Sequence, residues 1–315
     1  MKRLPFLLLS GTAVLVVVAI VWVTWLYMAK PIVNRFVDSR NIDAELFVPE
    51  GASNPETGTT STEEALLKEP ALDYLARVSG DPVPKEGEIA VRVPILMFHH
   101  IRPMQTNFRP VDRRFTVTPS SFETEMQALV DAGYHTITPD ELAFALTHAS
   151  SSLPEKPVLL TFDDGFRDQY ENAFPVLKKL HLKATFFVIT QLMNLHVYDD
   201  AKMVQELDRS GLITIASHTR HHAFLTRHSS AVRLAEIIGS KQDLEDLLGH
   251  PVNTFAYPYG GWNPTILKEV EQAGYTLAFG VRLGSLHTPS SRYQLRRIQV
   301  NNGEEIVPLL DRFRK

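Results

Sequence analysis

From Val91 onward, short apolar runs alternate with segments whose apolar positions recur at helical spacing. The runs predict strands over 93–98, 135–137, 158–162, 184–189, 213–216, 254–256, 277–279 and 295–300. Between them, Ser120 and Glu123 read as a capping-box pair opening a helix that stops at Gly133. Thr138-Pro139-Asp140-Glu141 opens another, with proline at its first position. Further helices are expected over 172–180, 199–209 and 229–248, the last ending at Gly249, and from Asn263-Pro264 to near Gly274. Strand–helix alternation of this kind predicts a parallel sheet with helices outside. About seven repeats in a stretch of roughly 210 residues point to a barrel, an imperfect one, rather than an open sheet.

The N-terminal part follows another pattern. After Lys2 and Arg3 no charged residue occurs until Lys30, and 4–29 is dense in Leu, Val, Ile and Trp. A helix needs roughly 20 apolar residues to cross a bilayer. Trp22, Trp25 and Tyr27 gather near the far end, where amphipathic rings favour the interface. Tyr27-Met28-Ala29-Lys30 is a poor cleavage site, so residues 1–30 read as a cytoplasmic tip and an uncleaved signal-anchor. Residues 31–90 read as a flexible stalk, because Gly51 to Thr62 is too polar to bury a core. A catalytic domain of α/β class then fills 91–315. The expected arrangement is a single-pass protein of the cell membrane with that domain outside the cytoplasm. With net charge −4 there is no electrostatic case for nucleic acid, and with no cysteine there is no thiol nucleophile, cysteine-ligated zinc or disulfide.

Candidate chemistry gathers at predicted strand ends, where parallel α/β folds place it. The 158–162 run leads into Asp163-Asp164-Gly165, and Gly165 permits a sharp exit that lets both carboxylates face one cavity. Helix capping by either aspartate is an equal reading. After the 213–216 run comes Ser217-His218-Thr219-Arg220-His221-His222. His218 and His222, four apart, would share one face of a helical turn. Together with one carboxylate they would make a two-histidine, one-carboxylate site with open positions, suited to zinc, cobalt or iron. A cluster of surface or hydrogen-bonded histidines is the competing reading. Tyr257-Pro258-Tyr259-Gly260-Gly261 follows the 254–256 run as a rigid aromatic loop, able to stack on a sugar or simply to turn the chain. His99 and His100 close the first strand, where an imidazole could deliver a proton.

Thr161 to Gly165 together with His218 to His222 resembles the first two motifs of the polysaccharide deacetylases, the NodB-homology domains of carbohydrate esterase family 4. The likeness covers about residues 91–302. It implies a distorted (β/α)7-type barrel and metal-dependent removal of acetyl groups from an N-acetylated polysaccharide containing N-acetylglucosamine. It also implies Asp163 as general base, with Asp164, His218 and His222 as ligands of a divalent ion, zinc first and cobalt, nickel or iron as alternatives. The Tyr259 backbone N–H would hold the oxyanion. Two departures stand out. The family's usual arginine two residues before the proline is Ala256 here, and the late Leu-x-His motif is missing. The segment 96–99 instead resembles poly-N-acetylglucosamine deacetylases, in which the acid histidine comes first, so the acid falls to His99 rather than His100. Arg297 is the candidate for the cation that Ala256 does not supply. The competing functions are a glycosidase built on Asp163 and Asp164, and a membrane-tethered glycan-binding module on a degenerate barrel. Adjacent residues rarely give the carboxyl separation of roughly 5–9 Å that glycosidases use.

Overall fold

The computed structural model describes residues 81–148 and 152–314. The expected anchor and most of the expected stalk lie outside the described residues. Among the described residues no helix is long and apolar enough to cross a membrane. The last ten residues ahead of the domain are tied to it. Asp81 accepts from the backbone N–H of Ser285 and Leu286, at 3.1 and 3.2 Å, and pairs with Arg92 at 2.9 Å.

Eight strands form one all-parallel sheet: β1 (Ile95–Phe98), β2 (His135–Thr136), β3 (Pro157–Phe162), β4 (Ala184–Val188), β5 (Ile213–Ser217), β6 (Thr254–Ala256), β7 (Leu277–Phe279) and β8 (Ile298–Gln299). The order across the sheet is β7-β6-β5-β4-β3-β1-β8, with β2 pairing against the start of β3. The sheet curls until its edges meet at one bridge, Phe279 to Leu295. There Gly280 N–H donates to Leu295 O and Leu295 N–H to Ala278 O, both at 2.9 Å. This is the expected barrel, closed only at a seam.

Both faces of the sheet are covered, which explains why the strands read as continuous apolar runs. Alternate side chains go to opposite sides. Ile95, Leu159, Phe187, Ala216, Ala256 and Phe279 fill the barrel interior. Leu96, Phe98, Leu160, Phe162, Phe186 and Ile215 face the helices. In that outer layer Phe162 touches Phe98 and Phe186, with ring centroids 5.1 and 4.7 Å apart. Each such fully buried ring contributes about 1.5–3 kcal/mol over exposure.

The α-helices of six or more residues among the described residues are α1 (Pro119–Asp131), α2 (Pro139–His148), α3 (Phe174–Lys179), α4 (Ala201–Arg209), α5 (Ser230–Leu248), α6 (Pro264–Gln272) and α7 (Ile306–Phe313). Asn263 caps α6 through the N–H groups of Thr265 and Ile266, and Gly249 ends α5 at φ 80°. The α1 boundary differs from expectation. Pro119, its φ already helical, takes the first position, and Thr118 becomes the cap, accepting from Ser121 N–H. The Ser120/Glu123 box is therefore not formed, and Glu123 pairs with Lys179 at 2.8 Å instead. The expected strand over 295–300 divides as well. Leu295 pairs with β7, while β8 pairs with β1.

Candidate metal centre

The period of two decides which side chains enter the barrel. In β1, Ile95 and Met97 point inward, and His99 continues that parity beyond the strand. In β3, Leu159 and Thr161 lead the same way to Asp163. Asp163 N–H donates to Phe98 O at 3.0 Å, so the two strand ends stand level. His100, of opposite parity, faces away from the interior, its Nδ1 2.7 Å from Asp168 Oδ2.

Asp164 would also face away had the strand continued. Instead its φ is 77° and that of Gly165 is 69°. Sequence reasoning credited the turn to the glycine alone, but the aspartate itself takes the left-handed conformation, which aspartate tolerates better than most residues. Helix capping is not the role of this pair. Asp163 is gripped by an arginine, and Asp164 Oδ1 is buried without a hydrogen-bond partner.

His218 keeps the inward parity of Ala216. Its Nδ1 lies 2.9 Å from Ala256 O, so Nδ1 carries the proton and Nε2 presents a bare lone pair. His222 does not arrive by a helical turn, as its spacing suggested. Residues 218–224 form no helix, and Thr219 (φ 67°) and His222 (φ 59°) fold the chain back instead. Helix α5 fixes that loop. Glu236 Oε2 accepts from the N–H of both Arg220 and His221 at 2.9 Å. Asp243 grips the Arg220 guanidinium at 2.6 and 2.9 Å. Glu236, Ser240 and Asp243 lie on one stripe of α5, and Glu236 and Ser240 are buried. Acids on a helix face that packs inward were the available signal for these residues, and the sequence reading missed them.

Donor atoms of Asp164, His218 and His222 all lie within 4.8 Å of one another. Asp164 Oδ1 is 3.4 Å from both His218 Nε2 and His222 Nε2. That is too long for a well-formed hydrogen bond. It matches the edge of a tetrahedron with bonds of about 2.1 Å, the length of zinc–oxygen and zinc–nitrogen bonds. An orphaned carboxylate oxygen and two imidazole nitrogens aimed at one point are a donor set that fits a divalent ion. Burial works against the charge on Asp164, but the His218, His222 and His99 rings outweigh it and hold the carboxyl well below the usual range. Burial pulls the His222 imidazole down to about 4 despite the Asp164 carboxylate.

Beside this cluster, Arg297 meets Asp163 in a fork. Its two terminal nitrogens donate to Oδ1 and Oδ2 at 2.6 and 2.7 Å, and Nε donates to Gly280 O at 2.7 Å. Both side chains are almost fully buried. Burial alone would raise the Asp163 carboxyl, and the guanidinium reverses that and holds it below its ordinary value. Arg297, the expected substitute for an arginine at position 256, is thus the partner of Asp163. His99 is buried in the same field. Burial pushes its imidazole down, while the carboxylates of Asp164 and Asp163 pull the other way. Tyr259, at φ 57° and 57% exposed, sets its ring 4.5 Å from that of His222. His287 lies elsewhere, buried and bonded to Val93 O. Asp164, Thr219, His222 and Tyr259 are four non-glycine residues at positive φ around one site, a strain of about 1–3 kcal/mol each that functional sites retain.

Known proteins share this arrangement of chain. The sequence model of the polysaccharide deacetylase family matches residues 150–278. YxkH of Bacillus subtilis, assigned by name to the polysaccharide deacetylases, is 32% identical over 216 residues, which are 69% of this chain and 74% of the relative. A poly-beta-1,6-N-acetyl-D-glucosamine N-deacetylase of Staphylococcus aureus is 27% identical, over 64% of this chain and 74% of its own. Among solved structures, the Streptococcus pyogenes deacetylase PplD in complex with acetate superposes with a TM-score of 0.66 at 31% identity, covering 71% of this chain and 99% of PplD. With the seam-closed parallel barrel and the Asp164–His218–His222 cluster in place, these likenesses establish that the chain belongs to the polysaccharide deacetylase family.

Proposed function

We propose that this protein is a metal-dependent N-deacetylase of a cell-surface polysaccharide containing N-acetylglucosamine, releasing acetate and leaving a free amine. The observation that carries the reading is the pairing of a three-donor cluster with a separate, arginine-locked carboxylate at the same end of the barrel. The name of the S. aureus relative favours a β-1,6-linked chain.

Asp164, His218 and His222 would hold the ion. A divalent ion bound there supplies Lewis-acid chemistry, drawing electron density from an amide carbonyl and acidifying water. Asp163 takes the proton of the attacking water. The fork from Arg297 keeps Asp163 ionised and fixes the direction of its lone pairs. The Tyr259 N–H donates to the oxyanion that develops on the acetyl carbonyl, a contact typically contributing about 3–4 kcal/mol. His99 gives the departing amine its proton. Burial opposes the proton on His99, and the Asp164 and Asp163 carboxylates favour it.

We further propose that the enzyme works outside the cytoplasm, tethered by the apolar run 4–29. Protease accessibility on intact cells tests this, and a domain protected until lysis would refute it.

The deciding experiment is acetate release by the full chain from β-1,6-linked N-acetylglucosamine oligomers, chitin oligomers and peptidoglycan, with and without chelator. Release abolished by chelator and by Asp163→Asn supports the reading. Shortened oligomers would reveal a glycosidase instead, and chelator-resistant release would remove the metal from the chemistry.

A further inference from the structure

The loop after β4 runs back across the turn that carries Asp164. Arg167 N–H donates to Val197 O and Asp199 N–H to Gly165 O, both at 2.9 Å, and Phe166 and Tyr198 bridge as antiparallel partners. Tyr198 is thereby held beside the cluster. Its ring stacks on Phe166, with centroids 5.3 Å apart and planes at 26°. Phe166 in turn stacks on His100 at 3.8 Å, and Asp168 anchors His100. The far end of this three-ring column is a half-buried tyrosine at the rim of the site. Burial first, then the nearby Asp164 carboxylate and the Tyr259 phenol, push its hydroxyl up to about 12.

Five other tyrosines of the domain show what a structural tyrosine does with its hydroxyl. Those of Tyr134, Tyr170, Tyr257, Tyr275 and Tyr293 each donate to a named acceptor. The Tyr198 hydroxyl makes no hydrogen bond among the described residues. A rigidly backed ring with an unclaimed hydroxyl, beside a catalytic cluster, matches a pyranose, whose axial C–H face is apolar and whose edge carries hydroxyls. Tyr259 lies against His222 at 4.5 Å and rests on Phe224 at 5.2 Å. Two aromatic residues from separate loops thus flank the cluster.

We propose that Tyr198 is a sugar-stacking residue that seats β-linked pyranose units with equatorial substituents next to the Asp164–His218–His222 cluster. The inference rests on the deacetylase reading and names the contact that selects its substrate. The ring face does the binding, and the hydroxyl adds one hydrogen bond at the edge of the sugar.

The test uses the full chain and a β-1,6-linked pentamer of N-acetylglucosamine, measuring Kd by calorimetry and KM and kcat by acetate release. Tyr198→Ala and Tyr198→Leu should each raise Kd and KM about tenfold and leave kcat within about threefold, while Tyr198→Phe stays within about threefold of wild type throughout. Leucine restores bulk without a flat face, so it separates stacking from filling space. Pentamer binding unchanged in Tyr198→Ala, or leucine performing like tyrosine, would overturn the proposal, as would a wild-type chain that binds no pentamer. A chain that binds the pentamer but releases no acetate would refute the deacetylase reading, and the Kd series alone would then decide this one.

Discussion

Replacing Arg297 with methionine removes the partner of a buried carboxylate and leaves a side chain of similar length. In the native protein Arg297 makes two charge-assisted bonds to Asp163 and one to Gly280 O, all at 2.6–2.7 Å, and both groups are out of water. Breaking a buried pair from one side typically costs about 3–5 kcal/mol, because the remaining charge has neither water nor a partner. For a domain of this size that is a fall of roughly 10 °C in Tm. The deficit should depend on pH. In the native protein Asp163 sits below its ordinary value, so its contribution is present at neutral pH and is lost as pH falls through the folded pKa. In the variant, burial is opposed only by the His218 and His99 rings, so the carboxyl rises from its native position. The variant should therefore come closest to wild type below pH of about 4 and fall behind as pH rises. Asp163→Leu combined with Arg297→Met should recover most of the lost stability and none of the activity, since an apolar pair often replaces a buried ion pair at little penalty. Thermal melts of wild type, Arg297→Met, Asp163→Leu and the double variant, followed by circular dichroism from about pH 3 to about pH 8, give all four corners of the cycle. A single variant melting within about 2 °C of wild type at pH 7, or a double variant no better than the single, would refute the argument.

Other outcomes follow from the same geometry. His218→Ala should lose bound metal, and chelator should lower the Tm of wild type but not of this variant, with metal content read by mass spectrometry. Asp199 is fully buried with neither carboxylate oxygen bonded, and burial pushes it up to about 8. Its folded value exceeds the unfolded one, so stability is lost as pH rises from about 4 to about 8. Asp199→Asn should accordingly gain Tm over wild type across that window, and a gain that does not vary with pH would contradict the assignment. A Cβ at Gly239 would lie 2.5 Å from Arg220 Nε, which Asp243 holds in place. Gly239→Ala should thus disturb the loop joining His218 to His222, weaken metal affinity by about tenfold and destabilise the fold by about 1–3 kcal/mol.

Most strands were legible because they are apolar runs buried on both faces, and β6 and β7 match their expected limits. The chemistry was legible where it abuts such a run, as at Asp163-Asp164-Gly165 and His218. Legibility failed where conformation depends on distant partners. Nothing local says that residues 218–224 avoid a helix, because the N–H groups of Arg220 and His221 are taken by Glu236 on α5. Nothing local marks Tyr198, whose place is set by backbone bonds to the Asp164 turn. The Ser120/Glu123 pattern misplaced the start of α1, because Pro119 takes the first position and makes Thr118 the cap.

The barrel has a single seam, and the residue that arms the base lies just beyond it. Arg297 is 134 positions from Asp163 and lies two residues past Leu295, which bridges to Phe279. A ribosome that has released everything up to β7 has already exposed every donor of the ion cluster, yet the proton acceptor beside it is still without its counter-charge. On the proposed reading, competence for hydrolysis would wait for Arg297, which comes after every donor of the ion cluster along the chain.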